Sequence, residues 1–347
     1  MLSVKQSLKP LVFALDFSSW KKASLRQCFP GVRIKFINHV SQVPAGHDLI
    51  VWGFKSCLKG IADNVKVIRV EDGFLRSVGL GVDLIKPLSW VIDRRGLYYD
   101  ATDLSDLEYL LSNGQFTAKK LHRAIAVRER IVAEGLTKYN VGVVSWQRPN
   151  KLQHVILVVG QVESDASLHY GAPEIRTNLA LLKAVKQENP VAYIIYKPHP
   201  DVVAGLRAKG HQENEAYHWC DEVLTEVEMG RLLMSVDEVH VLTSLAGFEA
   251  LLRHKRVVCY GQPFYAGWGL TIDKVPLLRR SRKLALDELV AGVLIDYPVY
   301  MSRFKNGLLT VEQALDELIE WRAKTPRIVT WWRLGFRMLL RIIVGVK

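Results

Sequence analysis

Apolar positions along the first hundred residues fall in short blocks separated by turn-forming and charged residues. Leu11–Leu15, Val32–Ile37, Asp48–Trp52, Val65–Val70 and Trp90–Ile92 are runs of strand length, and Trp20–Cys28 between two of them is helix-compatible. That rhythm predicts an α/β sheet. From Asp103 to Tyr139 the spacing turns helical. Asp103 or Ser105 is placed to cap a short helix through Leu111, and Thr117 a longer one through about Gly135.

A second α/β rhythm starts at His154. His154–Val159 is uniformly apolar after its first residue, the pattern of a strand buried on both faces. A polar loop, Gly160 to Pro173, leads to a predicted helix over Glu174–Gln187 and a strand over Ala192–Tyr196. Glu238–Leu242 and Arg256–Tyr260 are further strands flanking a helix at Gly247–Arg253. The pattern predicts two Rossmann-like domains, residues 1–150 and 151–325, facing each other across a cleft. In such open sheets ligands gather beyond the carboxyl ends of the strands, where the most polar, turn-rich segments of this chain fall.

Composition narrows the picture. The 347 residues suit two domains, and a hydrophobic share of 49% is enough to fold both. The four cysteines stand far apart with no CxxC pair, so a reducing compartment is expected rather than a disulfide or metal framework. No signal-peptide core and no bilayer-length apolar run is evident, which predicts a cytoplasmic protein. The net charge of +12 is concentrated at one end. Seven Lys and Arg follow Glu320 without one acid, leaving the body only mildly basic, so no nucleic-acid partner is expected. Within residues 326–347, Arg333, Arg337 and Arg341 recur every four positions behind Trp331-Trp332, a basic stripe on an otherwise apolar helix. That is the make-up of an interfacial helix bound to the anionic cytoplasmic face of the inner membrane, the reading favoured by its broad apolar surface at a chain end; the alternative is a terminal helix docked on its own domain.

Four strand-end segments carry candidate chemistry. In Tyr196-Lys197-Pro198-His199-Pro200-Asp201, two prolines stiffen a turn that presents His199, whose imidazole can donate to a phosphate or carboxylate oxygen. Thr243-Ser244 precedes a helix, where hydroxyls and free N–H groups suit an anion, or where one hydroxyl simply caps the helix. Glu249, a turn later, can reach ribose hydroxyls or favour the helix dipole. Gly160-Gln161-Val162-Glu163-Ser164-Asp165 sets two carboxylates two residues apart, able to stabilise or capture an oxocarbenium-like centre, or to cap helices from a solvated loop. Glu71-Asp72-Gly73-Phe74-Leu75-Arg76 joins acids to an arginine that can fork onto a sugar carboxylate, or close an internal ion network. A fifth segment, Gly261–Thr271, is rich in glycine and aromatics and reads as a stacking surface or a packed turn.

Taken in order, these segments resemble a known family. EDGFLRSVGLG at Glu71–Gly81, GQVESDAS at Gly160–Ser167, YKPHPDV at Tyr196–Val202, LTSLAGFEALLR at Leu242–Arg253 and YGQPFYAGWGLT at Tyr260–Thr271 are similar to motifs of the KpsC-like capsule polysaccharide β-Kdo transferases. The resemblance runs from about residue 50 to residue 300. It implies a GT-B-like pair of Rossmann domains, CMP-β-Kdo as donor and transfer with retention. By position, Asp165 corresponds to the carboxylate that attacks the anomeric carbon. His199, Thr243 and Ser244 correspond to the CMP site, with Gln161, Lys197, Pro200 and Glu249 beside them, and Glu71, Asp72 and Arg76 fall on the acceptor side. The residue before Asp165 is often a second acid in the family and is Ser164 here. Many relatives carry two such modules, whereas each motif occurs once in this chain, implying one linkage type.

CMP leaves as a weakly basic phosphate monoester, so anion stabilisation by His199 can suffice. No diphosphate demands Mg²⁺, and neither a cofactor nor a metal is expected. The acceptor hydroxyl needs a base, for which Glu163 is the candidate. The competing readings are a transferase for another CMP-activated nonulosonic acid and a non-catalytic glycolipid-binding export or assembly protein.

Overall fold

A computed structural model of the chain describes residues 8–54, 56–79, 85–142, 144–151 and 153–325. The basic amphipathic helix expected over 326–347 lies outside the described residues.

The first sheet takes β1 (Leu11–Leu15), β2 (Arg33–Ile37), β3 (Asp48–Trp52), β4 (Lys66–Asp72) and β5 (Ser89–Asp93). Alternation sorts its side chains. In β3, Leu49 and Val51 enter one apolar cluster while Ile50 enters another on the opposite face. Strands β1 to β4 are mutually parallel where they pair, and β5 runs antiparallel to β4. Helix α1 (Ser19–Cys28) follows β1. After β5 come α2 (Asp106–Asn113) and α3 (Ala118–Ala133). Ser105 and Thr117 cap them, accepting from Glu108 N at 3.0 Å and Lys120 N at 3.3 Å. Each cap satisfies an otherwise orphan amide.

The second sheet contains β6 (Val155–Val159), β7 (Tyr193–Lys197), β8 (Glu222–Val223), β9 (Glu238–Val241), β10 (Arg256–Cys259) and β11 (Ile272–Asp273). All pairings are parallel. The spatial order β8-β7-β6-β9-β10-β11 is the Rossmann order, reversing direction between β6 and β9. As expected for a strand covered on both faces, β6 sends Val155, Leu157 and Val159 to one cluster and Ile156 and Val158 to the other. Its helices are α4 (Ala166–Gly171), α5 (Asn178–Glu188), α6 (Pro200–Val203), α7 (Met229–Ser235) and α8 (Leu245–Leu251).

The expected extent of the second domain, 151–325, needs a correction at its far end. Past α9 (Leu286–Val290), which continues as one π-helical stretch through Asp296, the chain returns to the first sheet. There β12 (Pro298–Met301) pairs antiparallel with β5, and β13 (Leu308–Leu309) pairs with β12. Helix α10 (Val311–Lys324) packs against α3 and the two strands. Residues 298–325 therefore complete the first unit, because β5 would otherwise present an unpaired edge. The largest apolar cluster joins Phe74 and Val91 of the first unit to Leu157, Val239 and Phe264 of the second. Buried Glu108 on α2 reinforces that junction, accepting from Arg280 Nε at 2.9 Å and pairing with Arg279 as well.

Candidate active site

A cleft of about 800 Å³ opens at the carboxyl ends of parallel strands from both sheets. Trp52-Gly53 after β3 and Glu71-Asp72 at the end of β4 line one wall. Gln161 after β6, Lys197 ending β7, Thr225 after β8 and Thr243 after β9 line the other. Asp165, His199, Pro200, Ser244, Glu249 and Arg76 also line it, so eleven of the twelve expected site residues meet in one cavity.

At the β6/β9 reversal, the Gln161 amide bridges the two strand ends. Its Oε1 accepts Thr243 N at 2.8 Å and its Nε2 donates to Thr243 Oγ1 at 3.0 Å. The Thr243 amide expected to meet an anion is therefore already occupied. Ser244 caps α8, accepting Ala246 N at 3.3 Å. Gly160 must be glycine to let β6 end here, since a Cβ would stand 2.6 Å from the Tyr196 hydroxyl.

Asp165 occupies the N-cap position of α4 but makes no side-chain cap bond. Its Oδ1 lies 3.9 Å from Arg207 Nη2, with both side chains partly exposed. Glu163 behaves in the opposite way and is the expected residue missing from the lining. Its carboxylate accepts Asn178 N at 2.8 Å and His211 N at 2.7 Å. Both oxygens accept backbone amides, as expected of a capping acid, and hold Glu163 outside the cleft lining. Which of two nearby acids caps a helix is decided by where the helices lie, and the loop sequence does not encode that.

His199 is the N-cap of α6. Its Nδ1 accepts Asp201 N at 3.1 Å. Burial first, then the charges of Lys138 and Arg207, push its pKa down to about 4. Lys197 donates to the Thr225 carbonyl at 3.3 Å, and burial lowers its pKa to about 8. Glu249 Oε1 accepts Lys138 N at 2.7 Å, tying α8 to the segment that joins the two units. Burial raises its pKa to about 7.

On the opposite wall, Arg76 turns inward. It is 2% exposed, donates from Nε to Asp72 Oδ2 at 2.7 Å and from Nη1 to Ser77 Oγ at 3.0 Å. These bonds place Arg76 in an internal network with Asp72 and Ser77, at the edge of the cleft that it also lines. Glu71 is raised to about 7, by burial first and by the charge of Asp72 second. Its Oε2 faces Gly53, where a Cβ would come within 3.1 Å.

Several cleft residues escape the sequence motifs. Trp20, Lys21 and Trp52 line the first wall, and the Lys21 ammonium lies 3.0 Å from the centre of the Trp52 ring. Tyr98 and Tyr99 come from the turn after β5, Lys138 and Tyr139 from the joining segment, and Arg207 from the turn beyond α6. Among the described residues no group of three or more His, Cys, Asp or Glu is arranged to hold a metal ion. None of the described helices is long and apolar enough to cross a membrane.

Fold and site together define a two-sheet α/β protein with a polar, aromatic-lined ligand cleft where its parallel strands end. The chain belongs to the capsule polysaccharide biosynthesis protein family, whose model matches residues 47–140 and 122–300. It is 42% identical over 322 residues to the capsule polysaccharide modification protein LipA of Neisseria meningitidis serogroup A, covering 90% of this chain and 46% of LipA. The chain thus spans about half the length of that relative. The lipopolysaccharide-processing protein LpsZ of Rhizobium meliloti is 37% identical, covering 92% of this chain and 76% of LpsZ. Among solved structures, the KpsC beta Kdo 2,7 transferase of Thermosulfurimonas dismutans is 40% identical with a TM-score of 0.74, covering 89% of this chain and 98% of its own. The beta Kdo 2,4 transferase of the same KpsC is 31% identical with a TM-score of 0.79, covering 88% and 97%.

Proposed function

We propose that this protein is a retaining glycosyltransferase of GT-B-like architecture that moves β-Kdo from CMP-β-Kdo to a glycan or glycolipid acceptor in surface polysaccharide synthesis. The observation that carries this reading is the position of Asp165. It is a partly exposed carboxylate at an N-cap that it does not cap, opening into the same cleft as His199. The likeness to two Kdo transferase domains over nearly their whole length supports the donor class.

In the proposed reaction an Asp165 oxygen bonds to the anomeric carbon as the bond from that carbon to the CMP phosphate oxygen breaks, its electron pair leaving with CMP. His199, Lys197 and Ser244 hold the departing phosphate, with Gln161, Pro200, Thr243 and Glu249 shaping the nucleotide site. The acceptor hydroxyl oxygen then attacks the same carbon, the bond to Asp165 breaks, and the hydroxyl proton passes to Glu71. Two inversions give net retention. Glu71 takes the role first expected of Glu163 because it lies in the cleft with a pKa near neutrality, where a general base works best. Asp72 and the aromatic wall hold the acceptor.

The test is intact-mass spectrometry after incubation with CMP-Kdo and no acceptor. The wild-type protein should gain one Kdo residue, mapped to Asp165, and Asp165→Asn should gain none and lose transfer. Wild-type-like turnover by Asp165→Asn would remove the nucleophile.

A further inference from the structure

We infer that Arg207 reads the carboxylate borne on the anomeric carbon of the donor, an inference that rests on the CMP-ulosonic acid reading above. The chemistry of such a sugar restricts where that contact can be. The carboxylate and the leaving phosphate share one carbon, and in a near-attack geometry the nucleophile stands about 3–3.5 Å from that carbon. The carboxylate is one bond further on. Its cationic partner must therefore stand beside the attacking oxygen, and Arg207 does, with Nη2 at 3.9 Å from Asp165 Oδ1.

That spacing is too long for a hydrogen bond, so the guanidinium is near the nucleophile without being locked to it. A negative carboxylate approaching a carbon that already bears one is repelled. A guanidinium between the two offsets that repulsion and can fork onto the sugar carboxylate. Arg76, which the sequence offers for this contact, is committed to Asp72 and Ser77. Lys197 is assigned to the departing phosphate, and Lys21 lies over Trp52 on the other wall.

The backbone presents Arg207 for the task. Helix α6 ends at Val203, and Gly205, at φ +65°, reverses the chain. The amides of Leu206 and Arg207 then both donate to the Asp201 carbonyl, at 2.9 and 3.2 Å, and the buried Leu206 side chain anchors the turn. The proline-stiffened turn that presents His199 to the phosphate thus also fixes the position of Arg207. The Arg207 charge is one of those that lower the His199 pKa, as expected if both serve one bound anion pair.

The experiment compares kcat/KM for CMP-Kdo and for its C1-carboxamide analogue in the wild type, Arg207→Gln and Arg207→Lys. The wild type should prefer the carboxylate donor by about 100-fold, the scale for losing one partner of a hydrogen-bonded charge pair. Arg207→Gln should lose that preference by failing on the carboxylate donor alone, with Arg207→Lys in between. If Arg207→Gln keeps the wild-type preference, or loses both donors equally, Arg207 does not read the carboxylate, although the donor assignment survives. A wild type that consumes neither donor overturns both.

Discussion

The Nδ1 of His199 accepts the amide of Asp201 at 3.1 Å, and that bond fixes where the ring proton resides. A neutral imidazole accepting at Nδ1 carries its hydrogen on Nε2. With the pKa held near 4 by burial, then by Lys138 and Arg207, the ring stays a neutral Nε2–H donor from about pH 5 upward. His199→Ala should lower kcat by about 10²–10³-fold, the usual cost of one preorganised donor to a developing anion. Between pH 5 and 8 the wild-type kcat/KM profile should carry no inflection that His199→Asn removes. An inflection that disappears with the imidazole would show that His199 titrates there.

Glu71 predicts the opposite behaviour. Burial and Asp72 raise its pKa from 4.5 to about 7, so it becomes a base only as pH rises through neutrality. Transfer should climb with pH through about 7, and Glu71→Gln should abolish that limb together with most of kcat. The same shift has a stability signature. Between 4.5 and 7 the folded protein keeps a proton that the unfolded chain has lost, so the stabilisation present at low pH fades as pH rises to 7. Relative to wild type, Glu71→Gln should therefore melt higher at pH 8 than at pH 5.

The Gln161–Thr243 bridge predicts a separation between folding and binding. Gln161→Ala leaves a strand-end amide and a hydroxyl without partners, costing about 1–3 kcal/mol in chemical denaturation. Gln161→Glu keeps an acceptor for Thr243 N, so stability should fall less. It also adds a negative charge beside the phosphate site, and KM for CMP-Kdo should rise about tenfold or more. A Gln161→Glu protein with unchanged KM would place the phosphate elsewhere.

The basic segment beyond Pro326 supports a proposal of peripheral association with the cytoplasmic face of the inner membrane. Arg333, Arg337 and Arg341 recur every four positions after Trp331-Trp332, the spacing that a basic interfacial helix would use. Deleting residues 327–347 should reduce sedimentation with anionic vesicles at low salt while leaving transfer to a soluble acceptor within about twofold, since attraction of this kind is screened by salt. Undiminished binding after the deletion would move the membrane contact to another surface.

Much of this architecture was legible in the chain. The β1 and β3 runs coincide with the observed strands, and Ser105 and Thr117 cap the helices expected of them. Alternation and caps are local properties, and sequence carries them directly. The sequence left two readings open for Arg76 and for Glu163 because a side chain's partner depends on what folds against it. Arg76 meets Asp72 four residues away, while Glu163 is taken by amides at Asn178 and His211. Lys138, Tyr139 and Arg207 come from connecting segments with no periodicity to mark them. The return of β12 to β5 was missed for a related reason, as an antiparallel addition so far along the chain leaves no local trace.

That return makes the backbone pass between the units twice, once near residue 140 and again near Tyr297, whose hydroxyl donates to Asp93 at 2.8 Å. With both crossings flanking the apolar core that the units share, any change in the width of the mouth must strain the two crossings and that core at once.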